Sequence, residues 1–318
     1  MKAARLVGPR RFEFEDVPMP SLKDGEVLVK MEYLSVCGSD LRMYDRVFPE
    51  EEYPLRLGAP CHECAGIVEE SRDERFRPGQ RVIALQAGGL FEYAAVPGGR
   101  IVPVPDAGDP AMWVLCQPVG TVLYATQQIG TVLGKRAVVL GQGPIGLSFT
   151  DFLARGGARQ VIAVDLLDYR LSMAAKLGAT HTLNPRNVNV QEAVAEITGG
   201  ALADVAVEAC GRPETCQQVF DVIRQEGTAI IFGIAHDEDV FPFDWTAMTN
   251  KLPRMIVTNS ARSGNMPEDV AATVDLVSQG RLTVSHLLTH RMSWQDVGKA
   301  YETYSNKLDN SLKVVMSV

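Results

Sequence analysis

Long apolar runs are absent from this chain, and none reaches the roughly 18 residues that a membrane-spanning helix requires. The first twenty residues carry Glu13, Glu15 and Asp16 without an apolar segment, so they predict no secretory signal. Basic residues are not in excess either, since 31 Lys and Arg stand against 39 Asp and Glu, which gives a formal net charge of −8. We therefore expect a cytoplasmic protein without affinity for nucleic acid or membranes.

Cysteine is scarce as well, with six residues in a chain of 318. So few cysteines do not form the disulfide framework of a small secreted domain, and in a reducing compartment they are thiols or metal ligands. Internal repeats and low-complexity tracts are also missing from the sequence. The length is sufficient for two domains, each with a core of its own.

The two parts of the chain differ in their patterning. Residues 1 to about 118 favour β-structure, because Met1 to Val7, Arg11 to Glu15 and Glu26 to Val36 alternate between apolar and polar residues. From about residue 119, short apolar runs alternate with helical patterns, which predicts a doubly wound parallel sheet with right-handed crossovers. A last strand is predicted at Lys313 to Met316, and the sequence does not show to which domain it returns.

A glycine-rich turn follows the first apolar run of the second part. Gly141, Gly143 and Gly146 form a Gly-x-Gly-x-x-Gly turn, and a helical pattern begins at Pro144 and Ile145. The first glycine allows the tight turn, the second lets a pyrophosphate approach the backbone, and the third lets helix and strand pack closely. The start of the helix, where Pro144 fits the first turn, offers free N–H groups and the positive end of its dipole to phosphates. The pattern predicts a dinucleotide-binding site.

An acidic residue completes this pattern. Asp165 ends the next apolar run, Val161 to Val164, about 20 residues after the glycines. A carboxylate at this distance accepts hydrogen bonds from the 2′-hydroxyl of a ribose and repels a 2′-phosphate. The sequence therefore favours NAD over NADP.

Residues that suit a metal ion occur in three short stretches of the first part: Cys37, then Cys61-His62-Glu63-Cys64, then Cys116-Gln117. A thiolate, an imidazole and a carboxylate suit zinc, and a catalytic zinc has three protein ligands and one open position. Cys37, His62 and Glu63 provide such a set, whereas Cys61 and Cys64 offer a different local site. Burial as a small apolar residue is the alternative for any of these cysteines. The residues alone leave these interpretations open.

The chain resembles the zinc-containing medium-chain dehydrogenase family, within its branch of polyol and threonine dehydrogenases. The matching motifs follow the family's order along nearly the whole chain: V-C-G-S-D at Val36 to Asp40, H-E-x-A-G at His62 to Gly66, G-Q-R-V at Gly79 to Val82, G-x-x-E-Y at Gly89 to Tyr93, G-Q-G-P-I-G at Gly141 to Gly146, L-G-A at Leu177 to Ala179 and D-V-x-x-E-A-x-G at Asp204 to Gly211.

This resemblance implies an α/β protein with two domains. A β-rich GroES-like catalytic domain would comprise residues 1–120 and 262–318, and a Rossmann domain residues 121–261. The implied activity is that of an alcohol dehydrogenase, which transfers a hydride between NAD and a secondary alcohol or polyol, or its ketone. The family also implies a homodimer or homotetramer joined through the nucleotide-binding domain. An apolar cluster either provides the joining edge or packs internally: Val240, Phe241, Phe243 and Trp245.

The resemblance also assigns roles around the zinc. Cys37 and His62 would be ligands, and Asp40 would orient the His62 ring. Glu63 would be either a direct ligand or a carboxylate beside the metal. Ser39 would hydrogen-bond the substrate oxygen and carry its proton away.

Further assignments concern the cofactor and the substrate. By the same resemblance, Arg170 would lie near the adenosine ribose and Lys313 would reach the cofactor pyrophosphate. Four aromatic residues near the ligand motifs are candidates either for the substrate pocket or for core filling: Tyr44, Phe48, Phe91 and Trp113.

Two features depart from the family pattern. The family's third ligand, Cys or Glu, falls at Gln117, and glutamine is a poor, neutral zinc ligand. We expect Gln117 to hold a water on the metal, with Cys116 as the other possible fourth ligand. The lobe that binds a structural zinc through four cysteines is missing, since no cysteine lies between Cys64 and Cys116. We therefore expect one catalytic zinc and no structural zinc.

Gln117 also supports an alternative function. A quinone or enoyl reductase of the same fold would use NAD(P)H without zinc, and Asp165 argues against NADPH in such an enzyme. A non-catalytic nucleotide-binding protein is the second alternative. Metal analysis separates the first alternative from the zinc enzyme, and a panel of alcohols and polyols tests the second.

Overall fold

The structure is a computed structural model that describes residues 1–86, 88–235, 240–258 and 264–318. The predicted domain boundary at residues 261 and 262 lies outside the described residues. Among the helices in these ranges, none is long and apolar enough to cross a membrane.

Within these ranges the chain forms fifteen strands and ten α-helices. The strands are β1 Lys2–Gly8, β2 Arg11–Asp16, β3 Glu26–Ser35, β4 Glu63–Ser71, β5 Arg81–Leu85, β6 Tyr93–Pro97, β7 Ile101–Pro103, β8 Arg136–Leu140, β9 Gln160–Val164, β10 His181–Leu183, β11 Ala203–Glu208, β12 Ile223–Ile231, β13 Arg254–Val257, β14 Leu288–Ser293 and β15 Lys313–Ser317. The helices are α1 Leu41–Tyr44, α2 Pro110–Trp113, α3 Cys116–Ile129, α4 Pro144–Arg155, α5 Asp168–Lys176, α6 Val190–Ile197, α7 Pro213–Val222, α8 Trp245–Lys251, α9 Met266–Ser278 and α10 Val297–Ser305.

The chain divides into two compact units. The first comprises Met1–Gly120 and Asn265–Val318, and its main sheet has seven strands. Their order is β14-β15-β3-β4-β5-β7, with β6 also paired to β3, while β1 and β2 form a separate antiparallel pair. The C-terminal strand β15 lies antiparallel to β3, which answers the question that the sequence left open. This pairing brings the end of the chain beside the segment that follows β3.

The second unit, Thr121–Gly264, contains a six-stranded parallel sheet in the order β10-β9-β8-β11-β12-β13. Alternate residues of β8 enter two different apolar clusters: Val138 and Leu140 pack with residues of α6 and α7, whereas Ala137 and Val139 pack with residues of α3 and α4. Both faces of the sheet are therefore covered, as expected for strands that read as continuous apolar runs. The predicted doubly wound parallel sheet is confirmed.

Candidate functional site

Three potential metal ligands meet in the first unit. Cys37 follows β3, His62 directly precedes β4, and Glu63 is the first residue of β4. Because β3 and β4 pair with Ser35 opposite Glu63, the end of one strand lies beside the start of the other. One ligand atom from each of Cys37, His62 and Glu63 lies within 4.8 Å of the others. In the described part of the chain this is the only such cluster of at least three Cys, His, Asp or Glu residues.

Asp40 fixes the orientation of the His62 ring. Its Oδ1 atom lies 2.7 Å from Nδ1 of His62, and Asp40 itself is 2% exposed. The Nδ1–H group therefore donates to the carboxylate, which leaves Nε2 as the nitrogen available to a metal. Without metal, burial lowers the pKa of His62, but the charges of Asp40 and Cys37 and hydrogen bonds to both raise it more. The pKa is therefore well above its usual value.

Ser39 lies against the same ligand atoms. Its hydroxyl donates a hydrogen bond to Cys37 Sγ at 3.3 Å, and Oγ is 3.4 Å from Nε2 of His62. The short helical turn Gly38–Asp40 places it there, one residue after Gly38 and two after Cys37. A hydroxyl in this place is within reach of a substrate oxygen that approaches the cluster.

Glu63 has a partner that the sequence did not reveal. Nζ of Lys313 lies 2.6 Å from Oε1 and 2.7 Å from Oε2 of Glu63, and it donates a further hydrogen bond to the Val36 carbonyl at 3.1 Å. Both side chains are almost completely buried, at 2% and 1% exposure. Burial lowers the pKa of Lys313, but the Glu63 and Cys37 charges raise it more, so that it lies above its usual value.

This ion pair corrects the assignment of Lys313 to the cofactor. An ammonium group that is buried and holds both carboxylate oxygens of Glu63 is not available to a pyrophosphate. The physical reason is the pairing of β15 with β3, which places Lys313 behind the ligand cluster. Lys313 therefore belongs with the cluster of Cys37, His62 and Glu63, where it compensates the charge of Glu63.

Gln117 reaches the cluster through its amide group. Its Nε2 donates to the His62 carbonyl at 2.8 Å, so its Oε1 points away from that carbonyl. The residue is 3% exposed, and Oε1 accepts no hydrogen bond from the described residues. A buried carbonyl oxygen without a donor is unusual, and a metal ion or its water would satisfy it.

The other cysteines of the first unit do not join the cluster. Cys116 and Gln117 are consecutive in helix α3, so their side chains point in different directions, and only Gln117 reaches His62. Burial raises the pKa of the Cys116 thiol to about 12, and Cys116 is not part of the cluster that Cys37, His62 and Glu63 form. Cys61 and Cys64 are completely buried in the apolar core, and the described residues do not assemble a ligand cluster around them.

The donor set at this place fits zinc. Cys37 supplies a thiolate, His62 an imidazole whose Nε2 faces the cluster, and Glu63 or Gln117 an oxygen. Zinc accepts nitrogen, sulfur and oxygen donors in tetrahedral sites. The unsatisfied Gln117 oxygen is the observation that most directly indicates a missing partner.

The second unit contains the glycine turn between β8 and α4. Gly141 has a φ of +89°, and a Cβ atom there would lie 2.5 Å from Cys210 Sγ. A Cβ at Gly146 would overlap the Gly141 carbonyl oxygen, whereas at Gly143 it would meet only Nη1 of Arg170, at 3.7 Å. The first and third glycines are thus required by the turn itself, and the second leaves the backbone open for a ligand. Pro144 and Ile145 begin α4 as predicted.

Asp165 lies beside this turn. Its Oδ2 accepts a hydrogen bond from the Gln142 amide at 2.7 Å, and its Oδ1 accepts one from the Leu167 amide at 2.9 Å. Nη1 of Arg170 is 3.7 Å from Oδ2. Gln142 was not predicted, yet its buried side chain ties the turn to Val139 and Thr150. The residues expected around a bound ribose and its phosphates are therefore assembled in one place.

The four aromatic candidates have different environments. Tyr44 is 2% exposed and stacks on Phe12, and Trp113 is 5% exposed, so both fill the core. The Phe91 ring lies over Gly58, where a Cβ would overlap it. Phe48 lines a cavity of about 540 Å³ in the first unit together with Tyr53.

Comparison with known proteins places the chain among dehydrogenases. Residues 23–106 match the alcohol dehydrogenase GroES-like domain, and residues 144–279 match the zinc-binding dehydrogenase domain. An alcohol dehydrogenase of Cupriavidus necator is 28% identical over 99% of this chain and 98% of its own length. D-xylulose reductase of Saccharomyces cerevisiae is 26% identical over 99% of this chain and 97% of its own length. The structure of 2R,3R-butanediol dehydrogenase from Bacillus subtilis has a TM-score of 0.84 and 25% identity, covering 100% of this chain and 99% of that one.

The chain belongs to the zinc-containing medium-chain dehydrogenase family, because the two matched domains cover more than half of it and its relatives match nearly its whole length. It has the GroES-like and Rossmann-type domains of that family. It is a zinc-type oxidoreductase of the alcohol dehydrogenase class with a nicotinamide cofactor. The comparisons do not favour the zinc-free reductase or the non-catalytic nucleotide-binding protein.

Proposed function

We propose that the protein is an NAD-dependent dehydrogenase with one catalytic zinc, which interconverts a secondary alcohol or polyol and its ketone. The names of its relatives support this substrate class, since they include a xylulose reductase and a butanediol dehydrogenase. A small alcohol or ketone would thus be its partner, and neither nucleic acid nor a membrane has a role in this function.

The observation that carries the proposal is the convergence of Cys37, His62 and Glu63. Asp40 holds Nδ1 of His62, so Nε2 is free for the metal, and Ser39 lies next to both. Such a combination suits metal binding better than it suits stability, because a thiol, an imidazole and a carboxylate are costly to bury together. Gln117 would complete the coordination sphere or hold a water on the metal.

Each residue has a task in the reaction. When bound, zinc supplies Lewis-acid chemistry at the substrate oxygen, and the nicotinamide supplies the hydride acceptor or donor. Ser39 hydrogen-bonds the substrate hydroxyl, and during oxidation it accepts that proton while its own hydroxyl proton passes to water. Asp40 keeps His62 in the tautomer that presents Nε2. Lys313 neutralises Glu63, so that the cluster does not carry two uncompensated negative charges.

Substitution of Cys37 tests the proposed function. The zinc content of purified Cys37→Ser, measured by mass spectrometry, should fall from about one per chain toward zero. Turnover of a panel of secondary alcohols and polyols with NAD should disappear, while NADH binding should persist. Cys216→Ser is the matched control, because that half-buried thiol lies on α7 in the other unit. A wild-type protein without zinc, or a Cys37→Ser variant with full activity, would refute the proposal.

The preference for NAD is a separate part of the proposal. The Asp165 carboxylate lies beside the glycine turn and would repel the 2′-phosphate of NADP. Asp165→Asn removes the charge with little change of shape, so NADH should lose affinity relative to NADPH in fluorescence titrations. An equal change for both cofactors would contradict this role of Asp165.

We further propose a homodimer or homotetramer built on the second unit. Strand β13 is the last in the sheet order, and its Met255 and Val257 are 40% and 73% exposed. Nearby in sequence, Val240 and Trp245 are 89% and 68% exposed. An exposed apolar edge strand is suited to pairing with a second copy. Sedimentation of Val257→Lys should show a smaller species than the wild type, and an unchanged mass would refute this interface.

We also propose a cytoplasmic location. None of the six cysteines forms a disulfide in the structure, which is the state that a reducing compartment maintains. Fractionation of cells that express the tagged full chain tests this, and recovery of the protein outside the cytoplasm would contradict it.

A further inference from the structure

Tyr301 lies in helix α10, far in sequence from the metal-binding segments, and its side chain is completely buried. Its ring packs against Phe12 and Tyr44, with centroid distances of 5.0 and 5.2 Å. Its hydroxyl donates a hydrogen bond to Oδ2 of Asp40 at 3.2 Å. The aromatic packing therefore holds the ring, and the ring directs the hydroxyl at the carboxylate that orients His62.

The Asp40 carboxylate is held by three donors. Oδ1 receives the His62 Nδ1–H at 2.7 Å, and Oδ2 receives the Cys37 backbone N–H at 3.0 Å as well as the Tyr301 hydroxyl. A carboxylate that is 2% exposed depends on such donors, because water does not replace them. With Oδ2 fixed by two groups, the carboxylate cannot rotate, and the direction of Oδ1 sets the plane of the His62 ring.

We propose that Tyr301 is a positioning residue of the metal centre, which acts through Asp40 to hold His62 with Nε2 toward Cys37. This inference rests on the proposed function, in which His62 is a metal ligand. It connects helix α10 to the ligand cluster by one chain of hydrogen bonds, from Tyr301 to Asp40 to His62. Partners of this kind change metal affinity about 10- to 100-fold in other metal sites.

Tyr44 offers a matched control within the same cluster. It is 2% exposed, and its ring lies 5.2 Å from that of Tyr301, so Tyr44→Phe removes a hydroxyl from the same aromatic cluster. The three hydrogen bonds to the Asp40 carboxylate come from Cys37, His62 and Tyr301, and not from Tyr44. A comparison of Tyr301→Phe with Tyr44→Phe therefore separates positioning of His62 from support of the core.

Two measurements test the proposal. Competition with a chromogenic chelator gives the zinc affinity, which should fall on the order of tenfold in Tyr301→Phe and stay within about twofold of wild type in Tyr44→Phe. Nitrogen-15 NMR of histidine-labelled, metal-free protein reports the His62 Nδ1–H group directly. Its hydrogen-bonded signal should persist in wild type and Tyr44→Phe and should broaden or shift in Tyr301→Phe. Thermal unfolding of both variants monitors stability.

Equal zinc affinity and an unchanged His62 signal in the two variants would overturn the proposal. If zinc affinity falls in both variants in proportion to their loss of thermal stability, Tyr301 has a role in packing only. That result would overturn the proposal as well. If the wild type binds no zinc, the proposed function fails, and the metal-free His62 signal alone then decides whether Tyr301 orients the ring.

Discussion

The buried ion pair between Lys313 and Glu63 allows a quantitative test of the metal centre. Lys313→Met keeps most of the side-chain volume but leaves the Glu63 carboxylate buried without its cation. Removal of one partner from a buried pair costs about 3–5 kcal/mol of stability. Because Nζ makes three hydrogen bonds, to Glu63 Oε1, Glu63 Oε2 and Val36 O, we expect a value within this range.

The assay is urea unfolding of the metal-free protein in the presence of a chelator. Trp113 and Trp294 lie in the first unit, whereas Trp245 lies in the second and is 68% exposed. In a Trp245→Phe background, tryptophan fluorescence therefore reports the unit that contains the pair. With a urea dependence of about 2 kcal/mol/M, Lys313→Met should lower the midpoint by about 1.5–2.5 M.

Two further variants make the result interpretable. Lys299→Met on the exposed face of α10 is the matched control and should change stability by less than about 0.5 kcal/mol. Glu63→Gln combined with Lys313→Met removes both charges, so the double variant should be more stable than Lys313→Met alone. The reasoning is refuted if Lys313→Met resembles the control, or if the double variant is no more stable than the single one.

Two other predictions concern Gln117 and Asp204. Gln117→Glu should raise zinc affinity on the order of tenfold in chelator competition, because a carboxylate charge attracts a divalent cation more strongly than an amide does. The same variant should have lower thermal stability without metal, since the His62 carbonyl loses its donor. Asp204 accepts hydrogen bonds from Arg136 and Arg224, and although burial raises its pKa, these partners lower it well below the usual 3.8. The interaction of Asp204 with the two arginines is therefore fully present above about pH 4 and is lost as the pH falls further. Asp204→Asn should thus lower the free energy of unfolding of the second unit by about 2–3 kcal/mol at pH 7, and by progressively less in acid. An unchanged zinc affinity, or a stability difference that is constant with pH, would contradict these two expectations.

The sequence predicted the parts of the site that depend on local spacing. The glycine turn and its acidic residue follow from short-range chemistry, since Gly141 and Gly146 meet steric limits that only glycine satisfies. Asp40 lies three residues after Cys37, so the short turn between them brings both to His62 once β3 and β4 pair. The glycine turn and Asp165 were predicted from the residues themselves, whereas the role of Asp40 was implied by the family resemblance.

The parts that were missed depend on distant segments. Glu63 and Lys313 are 250 residues apart, and their contact exists because β15 pairs with β3 rather than with the second unit. Tyr301 is 261 residues from Asp40. No local sequence pattern predicts such contacts. The apolar residues next to Lys313 and Tyr301 in the sequence predict burial in general but do not identify a polar partner.

Secondary structure was missed for a similar reason. Local preference in this stretch favours a strand only around Val68 and Glu69, whereas β4 runs from Glu63 to Ser71. Gly66 lies in its interior and weakens the local preference, yet a Cβ there would overlap the Lys30 carbonyl oxygen of β3. Pairing with β3 and β5 on both sides extends the strand beyond what its residues favour alone. This extension places Glu63 within the sheet.

Diffraction at the zinc absorption edge, from crystals of the zinc-loaded full chain, tests the central claim most directly. The account predicts one anomalous peak per chain, in contact with Cys37 Sγ and His62 Nε2, with the Gln117 carbonyl oxygen or a water that it holds nearby. A peak at Cys61, Cys64 or Cys116, or none at the cluster of Cys37, His62 and Glu63, would contradict it.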